Sequence, residues 1–263
     1  RNLALTLLLL GSSCAADAGA TQARQGEPPG PPPLPERGAV LWEADHETGN
    51  LSQWEAGQGR AVFNSGTGDV YVTHLAEARS GRHSLVLKIF GAHDGQVQAA
   101  RIFRWAENPK RAYYSAWYYF PRVYRPADWW NVMQFKSPDT AGNPLVTWVL
   151  NVGNDRSGNM RFYLWDALEG VAHHRYAEGA GTTIPVGEWV HVEMYLERAT
   201  DESGRIAVFQ DGVMLYDFAG VRTALTDSIQ WSLDNYTNEI SPSEVDIFAD
   251  DAVIRKAVRE EAQ

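Results

Sequence analysis

From Ala39 to the last residues, the chain repeats one pattern: a short run that alternates apolar and polar residues, then a break at Gly, Asn, Asp or Pro. Alternation with period two is the mark of a strand with one face buried. In Trp189-Val190-His191-Val192-Glu193-Met194-Tyr195-Leu196-Glu197 it puts Val190, Val192, Met194 and Leu196 on the buried face. The runs His83–Ile89, Tyr113–Phe120, Leu145–Val152, Met160–Trp165, Arg205–Gln210, Val213–Asp217 and Val245–Ile254 read as strands too. Asp211-Gly212 between two of them is a two-residue hairpin signal. No stretch before the extreme C-terminus sustains a helical period. Roughly a dozen evenly spaced strands mean an all-β two-sheet sandwich or a barrel, and a two-sheet antiparallel β-sandwich is the fold expected. There is no internal repeat and no second domain.

Such a fold must be held by its core, because the one cysteine, Cys14, leaves no disulfide for the folded part. A hydrophobic content of 44% supplies enough apolar area. The net charge of −10 argues against a nucleic-acid binder, since phosphate contacts need a basic surface. It also opposes a polyanionic ligand unless a local basic patch overrides it. The 10 Trp and 11 Tyr serve sheet packing and also stack on sugar rings.

The N-terminus reads as an export signal over residues 1–20. Arg1 precedes the apolar run Leu3–Leu10, which is too short to span a bilayer, and small residues follow. The chain lacks an initiator Met and is read as truncated at its start. Two processing routes compete: a lipoprotein signal with Cys14 lipidated, or cleavage after Ala18-Gly19-Ala20. Either makes the protein exported. Residues 21–37 are expected to be an extended Pro/Gly-rich linker, residues 38–256 the domain, and residues 257–263 a tail.

The run Trp42-Glu43-Ala44-Asp45-His46-Glu47-Thr48-Gly49-Asn50-Leu51-Ser52-Gln53-Trp54 resembles the first strand and turn of heparin-lyase-like polysaccharide lyases, which are concanavalin A-like jelly rolls. Trp130–Ser137, Ile184–Glu193, Gly204–Gly212, Trp231–Thr237 and Ile247–Ile254 extend the likeness, in order, over nearly all of residues 40–255. Most of these motifs mark strands and turns.

The resemblance implies β-elimination of a uronic-acid polysaccharide. That reaction needs a group to neutralise the uronate carboxylate, a base for the C5 proton and an acid for the leaving oxygen. Gln134-Phe135-Lys136 stands where the related alginate lyases carry a Gln-x-His strand, and Tyr236 stands near their late tyrosine. The implied catalytic set is Gln134, Lys136, Tyr236 and Arg101, with Arg104, Trp129, Trp130 and Asn235 binding the sugar. Lys136 would neutralise the carboxylate, or act as base if burial lowers its pKa. The histidine is missing, and Gln96–Arg101 lacks the family's Arg-x-Glu-x-Arg pattern. The resemblance further implies a structural Ca²⁺ held by Glu47, Asp250 and Asp251. The expected partner is an acidic glycan, with the protein a monomer that touches a membrane only through a lipid on Cys14.

Two other readings stay open. One is a non-catalytic carbohydrate-binding lipoprotein on the same fold. The other is a glycoside hydrolase, suggested by the spacing of Glu43, Asp45 and Glu47, although that run leads straight into a turn. His173-His174 is not expected to bind metal, because neighbouring strand residues point to opposite faces; a solvated loop is expected there.

Overall fold

The computed structural model describes residues 31–74, 78–105, 109–174 and 183–258. The signal segment with Cys14, the linker up to residue 30 and the tail beyond residue 258 lie outside the described residues.

Two antiparallel sheets make the domain. The eight-stranded sheet runs in the order β14 (Val213–Val221), β13 (Gly204–Gln210), β12 (Trp189–Glu197), β6 (Arg111–Tyr119), β17 (Val245–Val258), β4 (Ser84–Ile89) and β3 (Asp69–Thr73). Its eighth strand, β1 (Glu36–Ala44), pairs with the second half of β17. The seven-stranded sheet runs β11 (Val171–His173), β10 (Met160–Asp166), β9 (Pro144–Asn154), β8 (Trp130–Pro138), β15 (Gln230–Thr237), β5 (Gln98–Arg104) and β2 (Val62–Ser65). A ribbon of β7 (Arg125–Pro126) and β16 (Ile240–Ser241) and a single helical turn, α1 (Ser52–Glu55), complete the described elements. Neighbours distant in sequence, such as β6 beside β17 and β8 beside β15, give the jelly-roll connectivity of a β-sandwich.

The alternation in sequence becomes the packing. Leu85 and Leu87 of β4, Tyr114 and Tyr118 of β6, and Val190, Val192, Met194 and Leu196 of β12 point inward. They meet Met133 and Phe135 of β8, Trp148 and Leu150 of β9, and Trp231 and Leu233 of β15. Each of the large side chains contributes about 1.5–3 kcal/mol by leaving water. The Asp211-Gly212 turn has positive φ at both residues, 49° and 78°, the geometry that a tight hairpin matching strand twist requires.

Two local features depart from the simple pattern. Val132 is an extra residue in β8, since Asn131 pairs with Asn151 while Met133 pairs with Leu150. The bulge turns Trp130 inward while Gln134 and Lys136 face out. At the N-terminal edge, Pro35 is buried and its carbonyl accepts the Tyr113 hydroxyl, and Leu34 packs on Tyr113, Tyr195 and Phe209. The folded unit therefore begins at Leu34, ahead of the expected boundary at 38, because this end of the linker covers an apolar patch on the outer face.

Candidate functional site

The face of the seven-stranded sheet turned away from the core carries two polar groups of residues. In the first, Arg101 of β5 donates from Nε to Asp234 Oδ1 (2.7 Å) and from Nη2 to Ser232 Oγ (2.9 Å) and Gln230 Oε1 (3.2 Å) on β15. Both members of the ion pair are buried. Lys136 lies directly across from Gln230 and has no hydrogen bond or ion pair with any described residue. Burial, helped by the positive charge of Arg101 and opposed by Asp234, lowers the Lys136 pKa to about 8. Gln134, two residues away on the same face, is fully buried, and neither its amide oxygen nor its amide nitrogen has a partner. Such groups are costly unless a ligand satisfies them.

The second group is a cross-strand row. Tyr163 of β10 pairs with Asn151 of β9, Asn151 with Asn131 of β8, and Asn131 with Tyr236 of β15. All four line a cleft of about 490 Å3. Three inter-strand steps separate the two tyrosines, about 14 Å between backbones, so two phenols flank a floor of two amides. Asn151 Oδ1 is buried without a partner. Trp129 meets Tyr236 edge-on at 4.9 Å, and His174 stacks on Tyr163 at 4.5 Å. Burial and the nearby His173 lower the His174 pKa, so its ring is neutral at pH 7. The cleft also touches Val146, the cross-strand partner of Lys136, and Val149, the partner of Gln134.

The expected catalytic residues are thus on one face but not in one place. Arg101, Gln134 and Lys136 gather. Tyr236 stands six residues along β15 from the Lys136 partner Gln230, about 20 Å of strand. Tyr163, Asn131, Asn151 and His174 were not singled out for the groove by the sequence, and only register reveals them.

Three expected sugar contacts face the other way. Arg104 donates to the Trp54 and Ala56 carbonyls (3.0 and 2.8 Å), with its guanidinium over Trp42. Trp130 is in the core and donates to Asn235 Oδ1 (2.9 Å). Asn235 in turn donates to the Leu87 and Val245 carbonyls, both at 2.9 Å, tying β15 to the opposite sheet. These are interior fastenings. Trp129 alone of the four lines the cleft.

The residues expected to hold calcium do not fit that ion. Asp250 accepts from the backbone N–H groups of Arg79 (2.9 Å), Ser80 (3.3 Å) and Asp251 (2.8 Å), and its Oδ1 lies 3.2 Å from His46 Nδ1. Glu47 accepts from the Arg82 and His83 amides, both at 2.8 Å, and Asp251 accepts from Ser80 Oγ. Donor hydrogens point where a hard cation needs oxygen lone pairs. Trp54 Nε1 donates to His46 Nε2 (3.1 Å), so the His46 proton sits on Nδ1 and faces Asp250. Among the described residues no cluster of His, Cys, Asp and Glu is placed to hold a metal.

The hydrolase spacing fails likewise. Glu43 lies in β1 of the other sheet, and Asp45 and Glu47 bond to the turns around them. Asp128 is the only carboxylate among the described residues lining the cleft, where hydrolysis needs two. His173 stacks on the core residues Trp148 and Phe218 while His174 faces the cleft. The two rings do point apart as expected, but neither belongs to a purely solvated loop.

No protein with a curated description matches the sequence. Among solved structures, an endo-β-1,4-glucuronan lyase from the fungus Trichoderma reesei superposes with a TM-score of 0.63 at 13% identity, covering 83% of this chain and 96% of that one. An alginate lyase solved with an alginate tetrasaccharide gives 0.51 at 15% identity over 87% and 100% of the two chains. An alginate lyase from a Chlorella virus gives 0.51 at 11% over 83% and 100%. At such identities these likenesses establish the sandwich fold. The family model described as polysaccharide lyase matches residues 46–251, a span that runs from the turn after β1 through the groove strands into β17. On that match, the chain belongs to the polysaccharide lyase family.

Proposed function

We propose that this chain cleaves a uronic-acid-containing polysaccharide by β-elimination over the row Tyr163–Asn151–Asn131–Tyr236. The observation that carries the reading is the row itself: two phenols flank two amides in one cleft, with the cation Lys136 farther along the same face. The Asn131 and Asn151 amides donate to the uronate carboxylate and so stabilise the charge that builds as C5 loses its proton. One group of the cleft takes that proton, the C4–C5 double bond forms, the C4–O bond breaks, and a phenol protonates the departing oxygen. Tyr236 is the acid of this scheme. The neutral imidazole of His174, held by its stack on Tyr163, is the base that takes the C5 proton.

Lys136 and Gln134 then serve a neighbouring sugar. The charge on Lys136 and the two unpaired amide atoms of Gln134 suit a second carboxylate and its hydroxyls, with Arg101 and Asp234 fixing the surroundings. This local positive field answers the net charge of −10. The glucuronan and alginate named for the superposed enzymes are both uronate polymers, which supports the substrate class. Export, with or without a lipid on Cys14, places the activity where such polymers occur.

The test is ultraviolet absorbance of the unsaturated uronate end during incubation with glucuronan, alginate and other polyuronates. A rise lost in Tyr236→Phe supports elimination at this row. Binding of a polyuronate with no rise on any polymer would replace this reading with a carbohydrate-binding protein.

A further inference from the structure

On the opposite side of the domain, the outward face of the eight-stranded sheet carries a second aromatic row that the groove chemistry does not use. Tyr71 of β3 pairs with Val86 of β4, Val86 with Phe248 of β17, Phe248 with Tyr119 of β6, and Tyr119 with Trp189 of β12. The alternate residues of the same strands, such as Leu85, Leu87, Tyr118 and Val190, face the core, so this row faces out. The Tyr119 ring lies 5.6 Å from Trp189 and 5.9 Å from Phe248. Tyr71 is 38% exposed, while Val86, between Tyr71 and Phe248, is only 1% exposed, covered although it points outward. One row below, Trp117 packs on His191 at 5.0 Å, with the Arg79 guanidinium 4.2 Å above its ring. The row crosses four inter-strand steps, about 19 Å.

We propose that this row is a second glycan-binding surface, separate from the groove, that stacks the pyranose rings of a neutral polysaccharide lying across the strands. A pyranose has apolar C–H faces and a polar rim, and a file of half-buried rings edged by hydrogen-bonding side chains matches both. The edge is acidic. Asp69 and Asp246 stand in register with Lys88, whose ammonium is held by Glu244 (3.1 Å) and Asp246 (3.4 Å). Three carboxylates around one cation repel a polyuronate and leave acceptors for sugar hydroxyls, the reverse of the Lys136 and Arg101 end of the groove. A protein partner of aliphatic character is a poorer fit to a narrow file of rings with charges along its border. The inference concerns binding alone and does not depend on elimination occurring in the groove.

The experiment is native electrophoresis through gels containing hydroxyethylcellulose, xyloglucan, galactomannan or alginate. The proteins are wild type, Tyr71→Ser, the Tyr119→Ser/Trp189→Ser double variant and Tyr236→Phe. Tyr71 is on an edge strand and half exposed, so its variant keeps a folded control if the double variant unfolds. At least one neutral polymer is expected to retard the wild type and Tyr236→Phe equally. Loss of two ring stacks should weaken that retardation about tenfold, and loss of Tyr71 less, with retardation by alginate unchanged. No retardation by any neutral polymer overturns the proposal, as does full retention in both outer-face variants. A version lacking residues 21–33 tests the rival occupant, the chain's own Pro-rich segment. A change in tryptophan fluorescence on that deletion, without neutral-polymer retardation, assigns the row to that segment and overturns the proposal.

Discussion

Arg101 Nε donates to Asp234 Oδ1 across 2.7 Å, and burial, aided by the Arg101 charge against the opposing Asp234, holds Lys136, on the next strand but one, at a pKa of about 8. The groove's unpaired cation is therefore one that titrates close to neutral pH.

Uronate binding should accordingly fade as pH rises through about 8, where Lys136 gives up its charge. Lys136→Arg stays charged and should flatten that profile. The effect on stability has the opposite sense. An unfolded lysine, at 10.5, binds more protons than the folded one between about pH 8 and 10.5, so this residue makes the fold more stable as pH climbs through that window. Calorimetric titration of an oligouronate on either side of pH 8 checks the first statement. Comparing the melting temperatures of wild type and Lys136→Met over the same range checks the second.

Tyr236→Phe and His174→Gln should each lower kcat by about 10²- to 10⁴-fold, the usual weight of a positioned proton donor or acceptor. KM should change little, since each substitution leaves the Asn131 and Asn151 amides in place. Unaltered kcat in Tyr236→Phe would remove that residue from the chemistry.

Asn235→Ala should be a stability variant with normal product chemistry. It strands the Trp130 indole N–H and the Leu87 and Val245 carbonyls, all in the interior. A loss of about 2–4 kcal/mol is expected from groups left buried without partners. Urea unfolding reads the loss, and activity below the transition reads the intact groove.

Chelators and added calcium should leave the melting temperature unchanged, because backbone N–H groups already bond both oxygens of Asp250 and Oε1 of Glu47. Asp250→Ala should cost about 2–4 kcal/mol, since it leaves three backbone N–H groups and the His46 Nδ1–H without their acceptor. A clear stabilisation by calcium, reversed by a chelator, would restore the metal site.

Period-two patterning made much of the fold legible. β12 occupies the stretch that its alternation marks, and the Asp211-Gly212 turn follows from residue type alone. The same rule also separates Tyr236 from Asn235 and Arg101 from Arg104, since an odd spacing on a straight strand means opposite faces. Placing all four in one groove followed the resemblance and overrode that parity. Trp130 is a different case. Counted back from Gln134 it should face the groove, and only the Val132 bulge, which the sequence does not announce, turns it inward. The row that lines the cleft could not be read at all. Tyr163, Asn151, Asn131 and Tyr236 become neighbours through the register of β8 with β9 and β15, long-range pairings fixed by the whole sheet.

The strand β17 comes last along the domain, yet it lies in the middle of its sheet, with β6 on one side and β4 and β1 on the other. Before residues 245–258 emerge, β1 has no neighbour in its sheet, and β4 and β6 each present an open edge. The eight-stranded sheet then exists only as two unjoined fragments and a lone β1, and Ile247 and Ile254 are missing from the interior. Closure of this sheet therefore waits on the strand that comes last in the domain, which joins pieces that no other strand connects.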